Sequence, residues 1–102
     1  MKVNRILSAR EETVAEDRLC RAILTLRTLE ECRAFFHDLC TPAELQALKD
    51  RWAVVEMLAE RRLTYRQIHE QTGVSITTIG RVARYLITGE GGYAKALQRI
   101  GK

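Results

Sequence analysis

The chain has 102 residues and a formal net charge of +4. That length predicts one domain, 1–102, with a modest core. No apolar run reaches the roughly 20 residues that a membrane helix needs, and the opening MKVNRILSAREE is too polar for a signal peptide, so the expected location is the cytoplasm, associated with the nucleoid.

Residues 1–12 carry charge with little periodicity and read as a flexible arm. Its Lys2, Arg5 and Arg10 are either DNA contacts or part of an ordinary loose terminus. A first helix starts between Ser8 and Asp17 and runs to about Arg27. Leu19, Cys20, Ile23, Leu24 and Leu26 wrap more than one of its faces, which a one-sided surface helix does not need. Thr28 and Glu31 then form a capping box for a second helix, Leu29 to about Leu39. Leu29, Cys32, Phe35, Phe36 and Leu39 recur there at helical spacing. The two phenylalanines read as core rather than as a base-stacking platform, and His37 as a helix-surface residue. Cys20, Cys32 and Cys40 are odd in number, and their spacings match no zinc pattern. They fall on apolar helical positions and are expected to act as small core hydrophobes.

Thr41-Pro42-Ala43-Glu44 starts a third helix. Thr41 caps it, Pro42 takes the first helical position where its missing N–H costs nothing, and Glu44 closes the box. Leu45, Leu48, Trp52, Val55 and Leu58 or Ala59 continue at spacings of three and four, which makes this the longest helix and the central strut. Arg62 and Leu63 end it.

Residues 64–86 then read as a helix-turn-helix. Thr64 caps a first short helix, and Gln67 reaches back to complete its box. Gly73 ends that helix with a left-handed residue. Ser75 caps a second helix from about Ile76. Ile68, Val74, Ile79 and Val82 point inward, which leaves Ser75, Ile76, Thr77, Thr78, Gly80, Arg81 and Arg84 facing out. Short side chains suit base edges and cations suit phosphates, so this is the face of a recognition helix. His69 is out of place, because the second helix crosses nearby; it either leans to solvent or opens the crossing. Between residues 61 and 86 stand Arg61, Arg62, Arg66, Arg81 and Arg84 against the single acid Glu70, while the rest of the chain balances to zero. A basic excess confined to one motif suits a phosphate-contacting surface.

Gly89, Gly91 and Gly92 stop the second helix of the motif. They do not form a phosphate loop, because no strand precedes them and no Lys-Ser/Thr follows. A closing helix, Tyr93 to Ile100, puts Tyr93, Ala96, Leu97 and Ile100 on one side. The sum is an all-α, six-helix chain whose early helices carry more apolar surface than one copy covers. A symmetric dimer would cover it and present two recognition helices to one operator.

Three segments in this order, TLEECRAFFHDLCTPAELQALKDRW, LTYRQIHEQTGVSITTIGRVARYL and GEGGYAKAL, resemble the Trp-repressor superfamily, in particular its uncharacterised bacterial members. The resemblance spans about Leu19 to Ile100. It implies six helices in an intertwined homodimer, with the early helices of each chain packed on the late helices of the other. It also implies a ligand pocket. The two arginines that flank the family's tryptophan correspond to Arg51 and Arg81, and the threonine that lines the pocket to Thr41. The glycine that lets the indole approach is Val82 here, and the serine near the ligand's amino group is Tyr85. These larger side chains are expected to fill the indole space, so tryptophan is not expected as a cofactor. On the DNA side, Arg66 matches a DNA-contacting arginine, Ile76, Thr77 and Gly80 match base-facing positions, and Thr78 matches a phosphate contact. A bidentate pairing of Arg66 to guanine is worth about 1–3 kcal/mol of discrimination. Gly80 costs about 1 kcal/mol relative to Ala inside a helix. It serves either close approach to the groove or nothing at all. Arg84 is a phosphate contact or part of a solvated face.

The expected function is therefore a homodimeric repressor that reads a double-stranded operator without tryptophan. Two alternatives stay open: a repressor that senses another small molecule near Arg51 and Arg81, and a helical module that binds protein of the transcription machinery. No Ser–His–acid or paired-carboxylate constellation points to an enzyme.

Overall fold

The computed structural model describes residues 6–101, so Lys2 and Arg5 of the expected arm lie outside it. The described residues form six helices and no strand. The chain divides between Cys40 and Thr41 into two compact units, each taken by itself.

The first unit holds α1 (Ala9–Leu24) and α2 (Leu29–Leu39). α1 starts at Ala9, within the expected window of Ser8 to Asp17, so the expected arm 1–12 overlaps its first turn. The reason is a capping box that the sequence reading did not use. Ser8 N–H donates to Glu11 Oε1 at 2.9 Å, and Glu11 N–H donates to Ser8 Oγ at 3.2 Å. The Ser8 N–H first, and its hydroxyl second, favour the charged carboxylate and hold the Glu11 carboxyl below its ordinary value of 4.5. At its other end α1 stops short of Arg27. The Thr25 hydroxyl donates to the Ala22 carbonyl at 2.6 Å, and Leu26 N–H bonds to Ile23 O, a tightened closing turn. α2 has the expected bounds but only half of its expected box. Thr28 Oγ1 accepts from Glu31 N–H at 3.1 Å, whereas the Glu31 carboxylate accepts from Arg27 N–H at 2.9 Å, one residue before the cap.

Phe35 and Phe36 meet edge to face, ring centres 5.5 Å apart, a favoured aromatic geometry. Neither helix has a buried residue, and Leu24 is 81% exposed. The cysteines are therefore not core residues of the single chain: Cys20 is exposed, Cys32 and Cys40 are partly so, and all three are free thiols.

The second unit holds α3 (Pro42–Glu60), α4 (Tyr65–Thr72), α5 (Ile76–Thr88) and α6 (Gly92–Ile100). At the start of α3 both reciprocal bonds of the Thr41–Glu44 box are made, at 2.8 and 3.1 Å, with Pro42 in the first turn. α3 ends on Arg61, which takes the left-handed conformation (φ 59) that non-glycine residues rarely adopt. Val54, Val55, Ile68, Val74, Ile79 and Val82 form the core, with Trp52, Leu58, Leu86 and Tyr93 among the side chains packed on it. The sequence reading named Val55 but not Val54. Consecutive helical residues point about 100° apart, and both valines are buried because α3 packs against α4 and also against α5. Each such aliphatic side chain contributes about 1.5–3 kcal/mol by leaving water. The core thus lies directly behind the helix-turn-helix and fixes which face of α5 is left outside.

Candidate nucleic-acid interface and adjoining cleft

α4 and α5 form the helix-turn-helix that the sequence predicts. Thr64 N–H donates to Gln67 Oε1 at 2.8 Å, and Gln67 N–H donates to Thr64 Oγ1 at 3.1 Å, so the box at the start of α4 is complete. Gly73 is left-handed (φ 76) and its N–H bonds to His69 O at 2.8 Å, a single-bond helix ending. Ser75 then caps α5. Its Oγ accepts from Thr78 N–H at 3.1 Å and donates to Thr78 Oγ1 at 3.0 Å. Both hydroxyls are engaged with each other before any partner arrives.

The division into inner and outer faces follows the prediction. Ile68, Ile79 and Val82 are buried and Val74 nearly so. Ser75, Ile76, Thr77, Arg81 and Arg84 are exposed, and Thr78 and Gly80 partly so. A Cβ built on Gly80 meets nothing within 4 Å, so nothing inside the protein requires glycine there. Arg66 is exposed and lies 3.7 Å from Glu70, one turn along α4. His69 is exposed, yet its ring does not simply lean away, because Nδ1 lies 2.7 Å from the Val74 carbonyl oxygen.

Beside the outer face lies a cleft of about 390 Å³, lined by Arg51, Arg81, Val82, Tyr85, Glu90, Gly92 and Tyr93. The two arginines expected to flank a ligand do come together. Thr41 does not line the cleft; it caps α3. Val82 and Tyr85, expected to fill the indole space, are both wall residues of this cleft. Val82 turns into the core at 1% exposure, whereas Tyr85 stays 43% exposed along the wall. The Arg81 guanidinium sits over the Tyr85 ring, 4.7 Å from its centre, a cation–π contact worth about 0.5–1 kcal/mol at an exposed site. The ring and the guanidinium are thus stacked on each other at the cleft wall. Glu90, Gly92 and Tyr93 were not singled out as cleft residues. The glycine-rich turn read only as a stop brings them there, and Tyr93 packs 6.4 Å from Trp52.

Residues 15–101 match the family model described as Trp repressor protein. The chain belongs to the Trp repressor family. It is 48% identical over 84 residues to a Bacillus subtilis protein described as uncharacterized protein YerC, covering 82% of this chain and 80% of that one. Its fold is similar to that of a TrpR-like protein from Eubacterium eligens, with 42% identity, a TM-score of 0.81, and coverage of 92% of this chain and 96% of that one. A Staphylococcus aureus protein described as a candidate Trp repressor is similar at 39% identity and a TM-score of 0.77, with 93% and 96% coverage. Membership in the Trp repressor family makes the chain a DNA-binding regulator.

Proposed function

We propose that the protein is a homodimeric, sequence-specific repressor that docks α5 of each copy in the major groove of an operator and does so without tryptophan. The observation that carries this reading is the two-faced build of α5. Ile79, Val82 and Ala83 are buried, while Ser75, Ile76, Thr77 and Arg84 stand outside. Ile76 packs on a thymine methyl, and Thr77 bonds a base edge directly or through water. Arg66 pairs with guanine, Thr78 and Arg84 hold phosphates, and Arg81 adds charge where the interface meets the cleft. Gly80 lets the helix approach closely. The protein acts on the nucleoid, in the cytoplasm, and is not an enzyme. Two features support independence from tryptophan: Tyr85 takes part of the space beside Arg81, and the turn before α5 is braced by the protein's own side chains.

The test is selection from a randomised duplex pool by purified protein with no ligand added, near physiological salt. Enrichment of an inverted repeat with half-sites about one helical turn apart is expected. Salt-sensitive binding to every duplex alike would mean that the basic face grips only phosphates.

The open cleft favours a second reading, in which a small molecule other than tryptophan tunes DNA binding. Two guanidiniums and the Glu90 carboxylate on its walls suit a ligand with an anionic group and a donor. Trp52, the single tryptophan of the chain, packs beside the cleft residue Tyr93. Saturable quenching of its fluorescence would reveal such a ligand, and tryptophan titrated by calorimetry is expected to give no saturable heat.

A further inference from the structure

The turn between α4 and α5 has only Gly73, Val74 and Ser75 in which to set the angle of the recognition helix. Its middle residue is fixed at both of its main-chain polar groups by side chains from the last turns of α4. Val74 N–H donates to Thr72 Oγ1 at 3.1 Å, and the Thr72 hydroxyl donates onward to Ile68 O at 2.7 Å. On the other side of the same residue, the Val74 carbonyl lies 2.7 Å from His69 Nδ1. A carbonyl only accepts, so Nδ1 carries the proton and Nε2 is left as the basic nitrogen. Val74 itself is a core residue, packed with Ile68, Ile79 and Val82. The peptide groups on either side of a core anchor are therefore tied back to α4, and α5 begins two residues later.

We propose that His69 and Thr72 are positioning residues for DNA recognition, holding the recognition helix at its angle to α4 before DNA or any small ligand binds. The proposal rests on the reading of α5 as the element that enters the groove. Neither side chain needs to touch DNA. Losing either bond leaves a part-buried main-chain group without its partner, and the turn relaxes to recover one elsewhere. Base contacts from Ile76 and Thr77 depend on sub-ångström placement of α5, whereas long arginines follow phosphates through a change of angle. The signature of a lost brace is thus a loss of specific binding with nonspecific binding retained.

The test joins a spectroscopic measurement on the wild-type protein to a variant series on the selected duplex. The chain has two histidines, so His37→Gln assigns the imidazole signals by NMR. At a pH where the ring is neutral, His69 is expected as the Nδ1–H tautomer, the minor form of a free imidazole. His69→Ala and Thr72→Val are each expected to weaken specific binding by about tenfold or more and to leave binding to a scrambled duplex unchanged. His69→Asn, whose amide nitrogen falls where Nδ1 stood, restores most of the affinity. His69→Gln, whose nitrogen falls nearer Nε2, does not. Thr72→Ser keeps the relay and binds as wild type. An Nε2–H tautomer for His69 overturns the proposal even if a variant fails to fold, and so do Ala and Val variants that bind as wild type. If the wild-type protein selects no duplex, the reading of α5 falls and takes this proposal with it.

Discussion

At the scale of single residues, the questions concern what each outward side chain is free to do. Gly80 separates two explanations. Nothing lies within 4 Å of an added Cβ, so Gly80→Ala is expected to fold and to gain about 1 kcal/mol in helix propensity. The same methyl would stand between α5 and the groove floor. Thermal unfolding should therefore show a more stable protein, and titration of the operator about tenfold weaker binding. A variant that is more stable and binds equally well would make the glycine merely tolerated. Glu70 is the other informative residue, the one acid among five arginines in this stretch. Its exposed pairing with Arg66 adds little stability, but in the proposed docking it sets a negative charge near DNA. Glu70→Gln is expected to tighten binding to any duplex by about two- to fivefold and to steepen its salt dependence.

At the scale of helices, boundaries were legible where a cap is written as a short pattern. Thr41–Glu44 and Thr64–Gln67 make both bonds that their spacing implies, and Gly73 and Ser75 end and start helices as read. Thr28–Glu31 has the same pattern but a different outcome. A glutamate three residues into a helix has two N–H donors within reach, and the Glu31 carboxylate accepts from that of Arg27. Ser8–Glu11 carries the same pattern and makes both bonds, in a stretch whose charge without periodicity otherwise resembles a loose arm. Bonds between side chains and a turn backbone are not written as any period. That is why His69 and Thr72 emerged only with the structure, as did the meeting of Glu90, Gly92 and Tyr93 with Arg51 of α3 and Arg81 of α5. The boundary caps are also testable. Thr64→Ala removes one acceptor from an orphan N–H at the start of α4 and should cost about 1 kcal/mol in denaturant unfolding. A loss near zero would mean that water or Gln67 alone replaces the hydroxyl.

At the scale of the whole molecule, the distribution of burial is uneven. Among the described residues, every buried one belongs to α3, α4, the turn or α5, and none to α1 or α2. Leu24 and Leu29 of the first unit and Ile87 of α5 remain largely exposed. Apolar side chains exposed in this way mark protein interaction surfaces, and the proposed homodimer is the partner that would cover them. If the second copy covers them, unfolding of the chain is coupled to dissociation, and Tm should rise with protein concentration. A Tm independent of concentration over a hundredfold range, with a monomer in sedimentation, would remove the dimer. Apolar positions wrapping α1 foreshadow the exposed apolar side chains, whereas the cysteines, expected in the core, are exposed or partly exposed in the single chain. A helical period reports that a face is apolar, not whether its own chain covers it.

The central claim is that this chain reads a DNA sequence without tryptophan. It is tested most directly by the ratio of affinities of ligand-free protein for its selected duplex and for a scrambled one, measured in the same buffer near physiological salt. The account predicts a ratio on the order of a thousand or more, unchanged by added tryptophan. A ratio near one that rises only when tryptophan is supplied would contradict it.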